Sequence, residues 1–169
     1  MISIRALTPE DAPAYWKFRL EALECAPMAF GESADEHRAK SVELIARRPG
    51  PRDDCFVMAA FDGRVRMVGT AGFGRYPGLK ELHKARVWGV YVAEAFRGQG
   101  IGRMLMNELL SRARLAVGIE QAILTVALTQ TAAKRLYESL GFESFGREPR
   151  ALRIGDNSVD EEYMILRLR

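Results

Sequence analysis

Three alternate glycines, Gly98, Gly100 and Gly102, stand where an apolar, β-branched run, Val87-Trp88-Gly89-Val90-Tyr91-Val92, gives way to a helical pattern. In that pattern Ile101, Leu105, Leu109, Ala113 and Ala116 recur at turn spacing, with Gly118 as C-cap. A strand, a glycine-rich loop and a helix in succession bring several backbone N–H groups to the positive end of a helix, with no β-carbons to hold a ligand off. Such a place suits a phosphate or pyrophosphate. A tight turn whose glycines only ease packing is the alternative. It accounts readily for one glycine and poorly for three behind a strand.

The spacing excludes two familiar phosphate loops. No G-x-x-x-x-G-K-[ST] occurs. Counted from Gly98, G-x-G-x-x-G places its third glycine at Arg103, and the next strand-like run is followed by Thr129 where an acid is needed. What remains is R-x-x-G-x-G, Arg97 to Gly102, behind Val90-x-Val92.

The elements that must position this loop follow from periodicity and turn chemistry. Ile2-Ser3-Ile4-Arg5 alternates as a first strand, and Thr8-Pro9-Glu10-Asp11 supplies an N-cap, a proline at the first helical position and early acids. That helix buries Tyr15 or Trp16, Phe18 or the stem of Arg19, Ala22 and Leu23, and ends before Pro27; Trp16 reads as core. A turn over 27–33 leads to a more polar helix, 34–47, broken by Pro49-Gly50-Pro51. Strands over 55–61 and 64–72 meet across Asp62-Gly63. A loop over 74–80 precedes the central strand, 85–92. After the glycine loop and its helix come a strand, 122–128, and a helix, 131–140, with Ala133, Leu136, Tyr137 and Leu140 on one stripe and Gly141 at its end. Strands over 142–147 and 161–168 close the chain around a polar loop whose Gly155-Asp156-Asn157 marks a turn. The order predicts an α/β fold: a mixed, mostly antiparallel sheet flanked by helices, with one right-handed βαβ crossover at its centre.

A chain of 169 residues without repeats or linkers reads as a single domain, 1–169. With 48% hydrophobic and 28% charged residues it is expected to be globular. No apolar run approaches a membrane span, and the N-terminus lacks the form of a signal peptide, which points to a cytoplasmic protein without a membrane partner. Cys25 and Cys55 have no metal-ligand spacing, so reduced thiols and no metal are expected. Net charge is only +3, and Arg47-Arg48 is the longest basic pair, which argues against a nucleic-acid surface.

At these residues the chain resembles the GNAT superfamily of acyl-CoA-dependent N-acetyltransferases. Leu124-x-Val126-x-x-x-Gln130-x-x-Ala133-x-x-Leu136-Tyr137-x-x-x-Gly141-Phe142 is similar to the second family signature, N-x-x-A-x-x-L-Y-x-x-x-G-F. Ile2-x-Ile4-Arg5 with Asp11, and Tyr163-Met164-x-Leu166, are similar to the family's ends. The resemblance covers nearly the whole chain and implies the GNAT fold, whose central and following strands splay apart around a pantetheine arm. It implies acetyl-CoA as co-substrate, with its pyrophosphate on the loop residues Arg97, Gly98, Gln99, Gly100, Ile101, Gly102 and Arg103. The pantetheine would lie along Val90, Tyr91 and Val92, facing Gln130, Ala133 and Tyr137. Gln130 stands where the family usually has asparagine. The implied partners are acetyl-CoA and an amine acceptor, with a homodimer left open.

Acetyl transfer from a thioester to an amine needs a proton removed from the ammonium, a donor for the oxyanion and a proton for the departing thiolate. By resemblance, a backbone N–H near Val90, at a bulge eased by Gly89, serves the oxyanion, and Tyr137 is the acid. A phenol at its reference pKa of about 10, against a thiol near 8.5, makes that transfer close to balanced. Arg97 either positions the loop or meets phosphate. The acceptor site is expected at Arg86, Trp88 and the turn from Phe30 through Glu32 to Glu36. A fixed cation at Arg86 favours an amine that also carries a negative group, unless Glu81 or Glu32 neutralises it. The base is not singled out. Alignment on Arg97-x-x-Gly100 puts Arg86 where the histone-acetyltransferase branch has a glutamate, which leaves Glu81, His83, Glu32, Glu36 or a water. The expectation is an N-acetyltransferase working by direct attack in a ternary complex on a small-molecule or peptide amine. The alternative is a non-catalytic acyl-CoA-binding module of the same fold.

Overall fold

A computed structural model describes residues 1–46, 52–63 and 65–169. Strands β1 (Ile2–Ala6), β2 (Cys55–Asp62), β3 (Arg66–Arg75), β4 (Lys84–Val92), β5 (Gln121–Ala127), β6 (Glu143–Ile154) and β7 (Asn157–Arg167) form one sheet in the order β1-β2-β3-β4-β5-β7-β6. Each neighbouring pair is antiparallel except β4 and β5, which the crossover helix makes parallel. The helices among the described residues are α1 (Ala12–Cys25), α2 (Ala34–Arg38), α3 (Val42–Ala46), α4 (Ile101–Ala113) and α5 (Thr131–Ser139). None is long and apolar enough to cross a membrane.

Helices cover both faces of the sheet, which explains why β2 is apolar without alternation. Its Phe56, Met58 and Ala60 enter the core beneath α4, with Leu105, Met106 and Leu109, while Ala59 and Phe61 enter a second core with Tyr15, Phe18 and Ala22 of α1. The entry to α1 is tied to β1. Asp11 accepts the Thr8 N–H at 2.8 Å and two Arg5 hydrogen bonds at 2.6 and 2.7 Å, and the Arg5 guanidinium rests on the Phe61 ring at 4.3 Å.

Four sequence expectations need correction. The helix expected over 34–47 is two short ones, because Ser41 acts as a second N-cap: its hydroxyl accepts the Leu44 N–H at 3.2 Å. Residues 47–51, including the expected break, and Arg64, the expected start of β3, lie outside the described residues. α4 stops at Ala113, short of Gly118; Ala116 stays buried through tight turns whose carbonyls are bonded by Arg169 and Arg75. The polar loop expected between the last strands is mostly a long hairpin. β6 absorbs Pro149 in a bulge between Glu148 and Leu152, where Arg150 takes φ 54° and its N–H donates to Asp160 at 2.8 Å. The strand expected to end at residue 72 runs to Arg75.

The hydrogen bonds from Arg5 hold the Asp11 carboxyl down at about 2. A carboxyl depressed in the folded state stabilises it above the ordinary carboxylate value, and loses that contribution as pH falls toward about 2. Asp11→Asn is therefore expected to cost about 1–2 kcal/mol near neutral pH. In urea titrations the gap to wild type should close on acidification. A gap independent of pH would assign the role of Asp11 to capping alone.

Candidate functional site

The parallel pair is short. β4 and β5 are in register only at Lys84–Gln121, Ala85–Ala122 and Arg86–Ile123, after which the two strands diverge. On its other side β4 keeps pairing with β3, but through a bulge. Gly72 faces Trp88 and Thr70 faces Tyr91, so Gly89 and Val90 together oppose Ala71. Gly89 has φ 62°, which favours glycine, and the buried Thr70 hydroxyl donates to its carbonyl at 3.1 Å. A bulge at this place re-aims the backbone of Gly89 and Val90. Beyond Arg86, β5 no longer pairs with β4, and the edge facing the gap offers a ladder position to an extended, amide-bearing ligand.

The gap opens into a cavity of about 760 Å³. It brings together Phe30, Glu32, Arg86, Trp88, Val90, Gln130, Ala133 and Tyr137 from the sequence expectations. Tyr137 is fixed by the end of its helix. Gly141 takes φ 93°, the Phe142 N–H returns to the Tyr137 carbonyl at 3.0 Å, and the two rings meet edge-on with centroids 6.0 Å apart. The Tyr137 side chain is 5% exposed, and burial pushes its phenol well above the ordinary value. That corrects the expectation of an unshifted phenol: Tyr137 holds its proton throughout the physiological range, and is a weaker acid than its reference. Arg86 is exposed and has no hydrogen bond or ion pair among the described residues, since Glu81 bonds Lys84 at 2.8 Å and Glu32 is taken elsewhere.

The glycine loop lies at the N-terminus of α4, outside this cavity's lining. Gly98 and Gly100 take φ 74° and 77°, and a β-carbon on either meets nothing within 4 Å. These glycines answer to backbone conformation, and the space in front of them is open. Gly100 caps α4 without any side-chain acceptor for its first amides. Gly102 is different: a β-carbon there would press on Leu136 at 3.3 Å, so it serves the packing of α4 on α5. The polar side chains of this loop brace the protein, and of the two roles open to Arg97 its hydrogen bond is the one that positions the loop. Arg97 donates to the Val92 carbonyl at 3.0 Å, Gln99 turns back to the Ala95 carbonyl at 3.4 Å, and Arg103 bonds Ser139 at 2.8 Å. Ile101 and Tyr91 are buried, Tyr91 against Phe18 and Phe30, and Val92 packs on the α4 core. What these positions offer a ligand is backbone.

The candidate bases fare unequally. Glu32 accepts two hydrogen bonds from Arg19, each 3.2 Å, and another from Lys40, with His37 at 3.6 Å. Burial works against its charge, yet Lys40 and Arg19 outweigh it and hold the carboxyl below the ordinary value. Glu36 caps α2 through the Ser33 N–H at 2.7 Å. Glu81 and His83 do not line the cavity. Two residues that the sequence did not single out do line it. Arg19 is 9% exposed, with Nη1 unpartnered; Phe30 lies over its guanidinium at 4.5 Å. Its place on the buried Tyr15-Phe18-Ala22 stripe was the available signal. Glu161 follows Val159 and precedes Tyr163 in the alternation of β7, and nothing in the sequence marks it.

The sequence model of the Acetyltransferase (GNAT) family matches residues 16–142. The chain is 28% identical over 112 residues to L-methionine sulfoximine/L-methionine sulfone acetyltransferase of Pseudomonas aeruginosa, covering 66% of this chain and 64% of that protein. It is 38% identical over 88 residues to N-alpha-acetyltransferase RimI of Mycobacterium tuberculosis, covering 52% of each. The chain thus spans between half and two thirds of the length of these curated relatives. Among solved structures, yncA of Salmonella typhimurium with its cofactor acetyl-CoA superposes with TM-score 0.81 at 23% identity, covering 100% of this chain and 95% of that one. The chain belongs to the GNAT acetyltransferase family.

A β-carbon on Gly72 would fall inside the Trp88 ring's van der Waals surface. Gly72→Ala is therefore expected to push Trp88 from the cavity wall at a cost of about 1–3 kcal/mol. In a Trp16→Phe background the remaining tryptophan's emission should shift; unaltered emission would show that the ring does not rest on Gly72.

Proposed function

We propose that the chain transfers an acetyl group from acetyl-CoA to a primary amine that also carries an anionic group, by direct attack within a ternary complex. The observation that carries this reading is the divergence of β4 and β5 beside the Gly89–Val90 bulge, opening into a cavity that Tyr137 lines. Acetyl-CoA supplies the activated acyl group when bound. The residues present suit it: the uncapped amides of Gly100 to Arg103 for its pyrophosphate, the free edge of β4 for its amide-bearing arm, and Gln130 and Ala133 on the opposite wall. The Val90 N–H at this bulge would donate to a developing oxyanion. Tyr137 keeps its proton until sulfur needs it. The apolar surroundings that make its phenol a weaker acid also disfavour a thiolate, so the two shifts act in the same direction.

The choice of an anionic amine rests on Arg86, an exposed cavity cation without a partner among the described residues. A sulfoximine-bearing amino acid, the acceptor in the Pseudomonas aeruginosa relative's name, fits this class. A panel of primary amines, each with and without a carboxylate, assayed by CoA release tests the reading. Carboxylate-bearing amines should be preferred, and Arg86→Ala should remove most of that preference through KM. Equal use of both by wild type and variant would overturn the substrate class. Bound acetyl-CoA with no turnover of any amine would instead return the chain to a binding module.

Tyr137→Phe removes a hydroxyl that bonds nothing among the described residues. The expected result is a fall in kcat of roughly 10²–10⁴-fold, with acetyl-CoA affinity and melting temperature nearly unchanged. A kcat within about threefold of wild type would make the hydroxyl dispensable for proton transfer.

A further inference from the structure

Two carboxylates line the cavity, Glu32 and Glu161, and they are not equivalent. Glu32 is held by Arg19 and Lys40 and is spent on that cluster. The Glu161 side chain makes no hydrogen bond or ion pair with any described residue. It sits on β7 opposite Ala127 of β5 and opposite Glu148 of β6. Its neighbour Glu162 bonds Lys134 of α5 and Ser144, and strand alternation sends Glu161 to the other face, where it lines the cavity with Thr125 and Ala127 of β5.

We propose that Glu161 anchors the acceptor's ammonium group and takes its proton. This assignment rests on the acetyl-transfer reading above, and supplies the base that reading lacks. One ammonium proton passes to the Glu161 carboxylate, directly or through a water, and from there to solvent. The freed lone pair forms the C–N bond to the thioester carbonyl carbon as the C–S bond breaks. The nitrogen's second proton ends on the departing sulfur by way of Tyr137, whose own proton is replaced in the exchange. Charge is conserved: one proton leaves to solvent for each amide formed.

The surroundings suit the role. The ionisable groups beside Glu161 are Glu148 on β6 and Tyr163 on β7; the Tyr163 hydroxyl donates to Glu148 at 2.6 Å and keeps that carboxylate next to it. Across the cavity stand Arg19, Glu32, Cys55, Arg75, Tyr76, Arg86 and Tyr137, and none of them bonds Glu161. Burial, and secondarily the charge on Glu148, push the Glu161 carboxyl above its ordinary value. A carboxylate so placed is a better proton acceptor than an exposed one, and as the anion it attracts an ammonium.

The test uses the full chain, Glu161→Gln and Glu148→Gln. In the free protein, carbon-13 NMR of glutamate side chains should show the carboxyl missing from E161Q titrating above the usual glutamate range in wild type, and moving lower in E148Q. With L-methionine sulfoximine and an N-terminal alanyl peptide as amines, E161Q should lose roughly 10²–10⁴-fold in kcat/KM near neutral pH. The deficit should shrink toward alkaline pH, where the amine deprotonates unaided, and acetyl-CoA affinity should stay within about twofold. In E148Q the acid limb of the rate profile should move to lower pH. An E161Q rate within about threefold of an active wild type at every pH, or a Glu161 carboxyl titrating at or below the ordinary value, overturns this assignment alone. A wild type that turns over no amine overturns the acetyl-transfer reading and this assignment with it.

Discussion

The structure turns on a parallel strand pair that stops after three residues. β4 is bonded to β3 along its length and to β5 only from Lys84 to Arg86. Backbone groups on diverging strands still need partners, and each one buried without a partner costs about 1–3 kcal/mol. The fold tolerates this because the rest of β4 is over-determined. Val87 lies in the core beneath α4, Tyr91 lies in the core beneath α1, and Thr70 fastens the carbonyl of Gly89 from β3. A strand held on both faces and one edge has no freedom to swing across and close the gap. The open edge is therefore a standing feature, ready for a ligand that brings its own amides.

Much of this was legible because the same residues serve fold and site. The glycine alternation, the βαβ crossover and the stripe ending in Gly141-Phe142 are local patterns with local causes. The motif around Tyr137 is, physically, a helix terminus: Gly141 supplies the positive φ, Phe142 returns an N–H to the Tyr137 carbonyl, and the ring is held by its own helix end. What stayed hidden depends on pairing across the sheet. Pro149 reads as a loop unless its bulge is seen opposite Asp160, and Glu161 is an ordinary strand acid until β5 and β6 are placed on either side of it. Ser41 is an unremarked serine until it caps a second helix. Gly102, read with its neighbours as part of an anion loop, also makes room for Leu136, which the loop alone does not reveal.

Charge in the cavity is distributed with the same economy. Of its two acids, one is neutralised by cations that α1 and the segment after α2 bring to it, and the other, with Glu148 paired opposite it on β6, has no ion pair among the described residues. Of its arginines, Arg19 is buried and anchored on Glu32, Arg75 reaches Asp54 and the carbonyls of Leu82 and Val117, and the Arg86 side chain alone stands unengaged among the described residues. An electrically mixed pocket with one unneutralised cation and one unneutralised acid matches a zwitterion better than it matches a plain amine or a plain acid.

The cluster around Glu32 fixes a stretch of chain that has little regular structure of its own. Pro27–Ala29 is a single 3-10 turn, and the residues up to Ser33 are held by the Glu32 carboxylate, clamped by Arg19 and Lys40, and by the Phe30 ring packed against Tyr91. A segment pinned at two such anchors can exchange the side chains between them without disturbing the sheet or the glycine loop. For a lineage under selection this separates two inheritances: the frame around β4 and α4 is fixed by packing throughout, while the stretch from 27 to 33 is fixed at those two anchors. Substitution in the few codons between those anchors can then reshape one wall of the cavity and leave the β4–α4 frame intact.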